Sequence, residues 1–150
     1  MRAWFEDDKE SEPAGGQDAL TLAVAALLIE TARVDHTLEE PERLLIGRLL
    51  ERRFGLAPDQ ARTLEQAAER RAERSAQLFG FARTINDGLA HERRIELIEM
   101  LWEVAYADGV LDPLEDSLLR RIGGLIDVSD HERGEARLRV LARLGIREEE

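Results

Sequence analysis

The stretch Leu101-Trp102-Glu103-Val104-Ala105-Tyr106-Ala107-Asp108-Gly109-Val110-Leu111-Asp112-Pro113-Leu114-Glu115-Asp116 decides how this chain of 150 residues folds. It arrives on an apolar stripe, Ile95, Ile98, Leu101, Trp102 and Ala105, that recurs at helical spacing. Asp108-Gly109 breaks the stripe, and glycine there can take the left-handed backbone a tight turn requires. Asp112 is then followed by Pro113 and, three residues on from itself, by Glu115. That is the form of a helix start: an N-cap, a proline in the first turn and a capping-box partner. The stretch predicts a helix, a turn and a second helix.

The same pattern occurs earlier in the chain. Sliding the sequence by the 73 residues that separate Asp35 from Asp108 lays residues 22–49 over residues 95–122. Val24 meets Leu97, Leu28 meets Leu101, Ala32 meets Ala105, Leu38 meets Leu111, Leu45 meets Leu118 and Leu49 meets Ile122. The acids coincide as well: Glu30 with Glu103, Asp35 with Asp108, Glu39 with Asp112 and Glu42 with Glu115. Two such hairpins are expected to pack apolar face to apolar face about an approximate twofold axis.

Working outward, no stretch alternates with period two, so the predicted fold class is all-α, a bundle of about seven helices built on two helix-loop-helix repeats. The first repeat is expected over residues 20–56, connecting helices over 58–88, the second repeat over 91–128 and a last helix over 129–144. Ala57-Pro58-Asp59 reads as a helix start, and the run from Gln60 to Arg74, rich in Ala, Glu and Arg, reads as a solvated helix. Asn86-Asp87-Gly88 signals a turn, and Ser129 with Glu132 forms a capping box. Residues 1–17 are acidic, with Pro13 and Gly15-Gly16, and are expected to form a flexible tail beside one domain over 18–150.

Composition narrows the chemistry. A formal net charge of -11 repels nucleic acid and anionic membrane surfaces and leaves cations and basic protein surfaces as the expected partners. No cysteine is present, which removes disulfides, thiolate metal sites and cysteine nucleophiles. The longest apolar run, Leu22 to Ile29, is far short of the ~20 residues a bilayer requires. The N-terminus turns acidic at Glu6 and lacks the apolar stretch of a signal peptide, so a cytoplasmic location is expected.

The acids allow two readings. Asp35 and Asp108 stand where a helix ends, facing its negative pole at a cost of roughly 0.3 to 1 kcal/mol if exposed, so something compensates them. On the first reading the compensation is local. Asp112 with Glu115, and Thr37 with Glu40, cap the second helices, while Glu39 and Arg43 pair at i, i+4. That leaves Glu30, Glu42, Glu103, Asp108 and Glu115 without a base four residues on, and open to tertiary salt bridges. On the second reading Glu103, Asp108, Asp112 and Glu115 converge across the turn on a cation, and all-oxygen ligation selects a hard ion, Ca²⁺ or Mg²⁺. The spacing is not that of an EF-hand, since the acids counted from Asp108 fall at positions 1, 5 and 8 with Gly109 at 2.

The quoted stretch, continued by Leu118-Leu119-Arg120-Arg121-Ile122, resembles the signature of the TerB-like family of tellurite-resistance proteins, and Glu30 to Glu42 resembles a second, more divergent copy. The likeness runs from Asp18 to about Leu144. It implies a helical bundle, a divalent-metal site at acidic positions and a role in tellurite or related stress. Carried over, the acids are Asp35 and Glu42 in the first copy and Asp108, Asp112 and Glu115 in the second, with His36 in place of the turn glycine and Pro41 altering the helix start.

No nucleophile elbow, P-loop, dinucleotide fingerprint or His-Glu-x-x-His helix occurs. His36, His91 and His131 read as surface or cap residues, and the basic run around Arg70, Arg71 and Arg74 is interleaved with Glu69 and Glu73, as on a solvated face. The leading expectation is a non-enzymatic TerB-like module that binds a divalent cation; the alternative is a protein-interaction scaffold whose acids are structural or meet a basic partner.

Overall fold

The computed structural model describes residues 14–34, 38–72 and 78–147. Seven helices and no strand are found among them: α1 (Ala14–Ala32), α2 (Glu40–Phe54), α3 (Pro58–Ala72), α4 (Leu78–Gly88), α5 (His91–Ala105), α6 (Pro113–Leu125) and α7 (Asp130–Leu144). The tail expected over residues 1–17 lies outside the described residues as far as Pro13, and α1 begins at Ala14. No helix among the described residues is long and apolar enough to cross a membrane.

α1 is the axis of the bundle. Every residue from Ala23 to Ile29 is buried, so the helix presents an apolar surface all round rather than a stripe. α2, α3, α4, α5 and α6 all pack against it, while α7 covers α5 and α6.

α3 departs from the solvated helix expected between Gln60 and Arg74. Ala61, Glu65 and Ala68 are buried at helical spacing, and the helix lies along α1 and α2. Its alanines are short enough to let helix backbones approach, which is why a helix of low hydrophobicity is a core element here. Gly88 ends α4 at a similarly close approach, since a Cβ there would sit 3.1 Å from Leu20 Cδ2.

The ends of the helices are closed by local chemistry. α6 carries the predicted capping box, Asp112 with Glu115, and α7 the predicted one, Ser129 with Glu132. α2 is capped two residues further along than expected: its N-cap is Glu39, and its box partner is Glu42, whose Oε1 accepts from the Glu39 N–H at 2.9 Å. Thr37, expected in that role, lies outside the described residues. At their C-termini α2, α6 and α7 each turn through a left-handed residue, Gly55, Asp127 and Gly145 respectively. The following N–H then bonds back across six residues, as in Val128 N–H to Gly123 O at 2.9 Å.

Candidate acidic site at the turn between α5 and α6

α5 ends because its apolar stripe ends. The Tyr106 N–H still bonds Trp102 O at 2.9 Å, and then the Gly109 N–H bonds Tyr106 O at 2.8 Å, closing a turn. Gly109 has φ +87°, the left-handed backbone its residue type allows at low cost. Asp108 Oδ1 accepts from the Val110 N–H at 3.2 Å, which supplies one of the compensating donors a carboxylate at a helix C-terminus needs. Asp112 Oδ1 accepts from the Leu114 N–H at 2.7 Å and Glu115 Oε1 from the Asp112 N–H at 3.3 Å. Capping thus accounts for one oxygen of each of these carboxylates.

The turn is also the wall of a cleft of about 220 Å³, whose lining includes Asp108, Asp112, Glu115 and, from the first turn of α2, Glu42. Apolar residues, among them Val104, Leu111 and Pro113, also line it. Glu42 and Glu115 occupy equivalent positions in the sequence repeat, and both serve as the box partner of a helix start. Glu115 is buried, 6% exposed. Four of the six acids singled out from sequence therefore meet in one cleft. Among the described residues, no three Asp, Glu or His side chains are grouped so as to hold a metal ion.

The other two acids stand apart. Glu103 is directed to α7, where Arg143 Nη2 donates to its Oε2 at 2.7 Å, so it does not join the group around Asp108. Arg143 also donates to Glu99 Oε1 at 2.9 Å, and Arg139 Nε to Glu99 Oε2 at 2.8 Å. The two acids lie four residues apart on α5 and the two bases four apart on α7, so a face of each helix is matched in charge to the other. Partners some forty residues away explain why Glu103 looked unpaired when only its own helix was considered. Asp35 lies outside the described residues. Glu30, the first-repeat counterpart of Glu103, is half-buried; burial pushes its carboxyl above the ordinary range and nearby Arg33 pulls it back.

Other expectations are also revised by tertiary pairing. Arg43, expected to pair with Glu39, instead makes a two-pronged contact to Glu69, at 2.7 and 3.0 Å. Trp102 is buried, 1% exposed, as the stripe predicts. From α7, Arg133 O accepts from its Nε1 at 3.1 Å, and the Arg137 guanidinium lies 5.8 Å from the ring centre. His91 and His131 pair with Glu132 and Glu135 at 2.9 and 3.2 Å, in surface positions.

Sequence reasoning passed over a second polar cluster at the end of α4. Arg94 donates to Leu89 O, Asn86 Oδ1 and Ile126 O, each at 3.0 Å, while Asn86 Nδ2 donates to Leu125 O at 2.8 Å. The visible signal was only an Asn and an Arg eight residues apart.

A family model described as tellurite resistance protein TerB matches residues 21–138. Comparison with curated proteins and with solved structures gives no match. The matched span takes in most of α1, all of α2 to α6 with the acidic turn and its opposing Glu42, and the first part of α7, and the chain accordingly belongs to the TerB family.

Proposed function

We propose that this chain is a non-enzymatic module of tellurite or related stress response that recognises a divalent cation, Ca²⁺ or Mg²⁺, at the cleft between the α5–α6 turn and Glu42. The observation that carries this is the meeting of Glu42, from one helix start, with Asp108, Asp112 and Glu115, from another, around one cleft. Their donors are hard oxygens, which suit either ion, and Ca²⁺ fills a shell of about 6 to 8 ligands partly with backbone carbonyls and water. Gly109 supports the same reading, because a tight turn brings the end of α5 and the start of α6 to one side of the cleft.

A second reading is favoured by a different observation. Each acid of the turn already accepts a backbone N–H, and no three acids are grouped for a metal among the described residues. On that account the acids are structural, or form a rim for a basic protein partner, and the module is a scaffold.

Metal analysis of the purified protein and a melting series in Ca²⁺, Mg²⁺ and Mn²⁺ separate the two. Cation binding raises the melting temperature by mass action at millimolar Ca²⁺. Asp108→Asn, which keeps the Val110 bond and removes the charge, abolishes that rise. Wild-type protein that carries no metal and melts at one temperature in all three ions leaves the scaffold reading standing.

A further inference from the structure

A groove of about 690 Å³ lies between α2, the end of α5 and the end of α7. Leu45, Leu144 and Ile146 give it apolar walls, and three arginines, Arg48, Arg52 and Arg143, also line it. Arg143 is taken up by Glu99 and Glu103. Arg48 and Arg52 are exposed, and neither makes a hydrogen bond or an ion pair with any described residue. They stand four residues apart on α2, so their side chains leave one face of the helix a turn apart. Two unmatched cations side by side, in a chain of net charge -11, call for carboxylates.

The chain itself leads acids towards this groove. After α7, Gly145 turns through the left-handed region at φ 71°, and the Ile146 N–H bonds back to Leu141 O at 3.0 Å. That reversal lays Ile146 against the core and in the groove wall. Arg147 follows, exposed, and then Glu148-Glu149-Glu150, which lie outside the described residues. The first of these acids is thus two residues beyond a wall residue of the groove, a reach of roughly 7 Å for extended chain.

We propose that the groove is the docking site of the segment Glu148–Glu150 of this same chain, with Glu148 and Glu150 on Arg48 and Arg52. Spacing selects this pair. Residues four apart on a helix are about 6 Å apart along its axis, and alternate residues of an extended segment point to one side about 6.6 Å apart. Glu149 then points away from α2. An exposed ion pair is weak by itself, but tethering through Ile146 gives the acids a high effective concentration at the arginines. The contact covers the apolar wall of the groove and ties the end of α7 to α2. It involves none of the acids of the α5–α6 cleft and stands independently of cation binding there.

The test is a ¹³C carboxyl titration of the full chain at low ionic strength, wild type against the double variant Arg48→Gln, Arg52→Gln. Glu148 and Glu150 titrate about 0.2 to 0.4 pH units lower in wild type than in the variant, the size an exposed ion pair gives, while Glu149 moves less. The difference disappears at high salt. Equal movement at all three glutamates, which would be the diffuse field of two charges, overturns the proposal, and so does no movement at any of them. A difference that fades as the protein is diluted overturns it as well, because the occupant would then be the segment of a second copy.

Discussion

Glu65 shows how one residue can carry a penalty visible in stability alone. Burial pushes its carboxyl above the ordinary range, with Arg43 opposing and Glu69 and Glu40 adding to the shift. The folded chain then holds this proton more firmly than the unfolded chain does, so stability falls as pH rises from the ordinary carboxylate value through the raised one. Glu65→Gln removes the charge, and melting at pH 8 is expected to show a gain of about 1 kcal/mol, the scale of one desolvated polar atom. The gain shrinks as pH falls towards 4. A variant less stable than wild type at pH 8 would mean that Arg43 compensates Glu65 fully at 3.6 Å. Trp102 is the opposite case, a buried ring that hydrogen-bonds Arg133 O and lies under Arg137. Trp102→Ala is expected to cost about 3 to 5 kcal/mol in denaturant melts, through the cavity it leaves.

Among the elements, what was legible in the sequence is what local chemistry determines. The helix–turn–helix of Leu101 to Asp116, the caps at Asp112 and Ser129, and the left-handed Gly109 all appear where residue types and spacing put them. α1 and α3 are both more buried than the sequence implies, and both for tertiary reasons. Leu20, Val24, Leu27 and Leu28 recur at i, i+4, i+7 and i+8 and so mark one face of α1, yet from Ala23 to Ile29 its other faces are buried too because five helices surround it. The Ala, Glu and Arg of α3 look solvated, yet its alanine face serves as a thin spacer on α1. Of the candidate site, the four acids of the cleft were legible from the repeat, whereas the pairing of Glu103 with Arg143 depends on α7 crossing α5. The C-terminus of α6 yields a prediction at this scale. Gly55 and Gly145 occupy the left-handed position after α2 and α7, but α6 uses Asp127 at φ 61°. Asp127→Gly relieves that backbone strain and is expected to raise stability by up to about 1 kcal/mol in the same denaturant melts. A loss instead would show that the Asp127 side chain stabilises the turn.

At the scale of the whole molecule, the bundle brings two distant helix starts to one place. Glu42 and Glu115 are box partners of α2 and α6, and the packing of these helices around α1 sets Glu42 against the turn that carries Asp108. In a chain of net charge -11, this meeting of acids concentrates negative charge, which is the ground for the cation proposed there. On the proposed reading the cleft works as one site drawn from the starts of α2 and α6. It is tested most directly by following backbone amides of the ¹⁵N-labelled full chain as Ca²⁺ is added at constant ionic strength. The account predicts that Glu42 shifts together with Asp108, Asp112 and Glu115 on one saturating curve, and that Asp108→Asn removes the response at all four. Shifts confined to one side of the cleft, or a linear drift spread over every exposed acid, would contradict it.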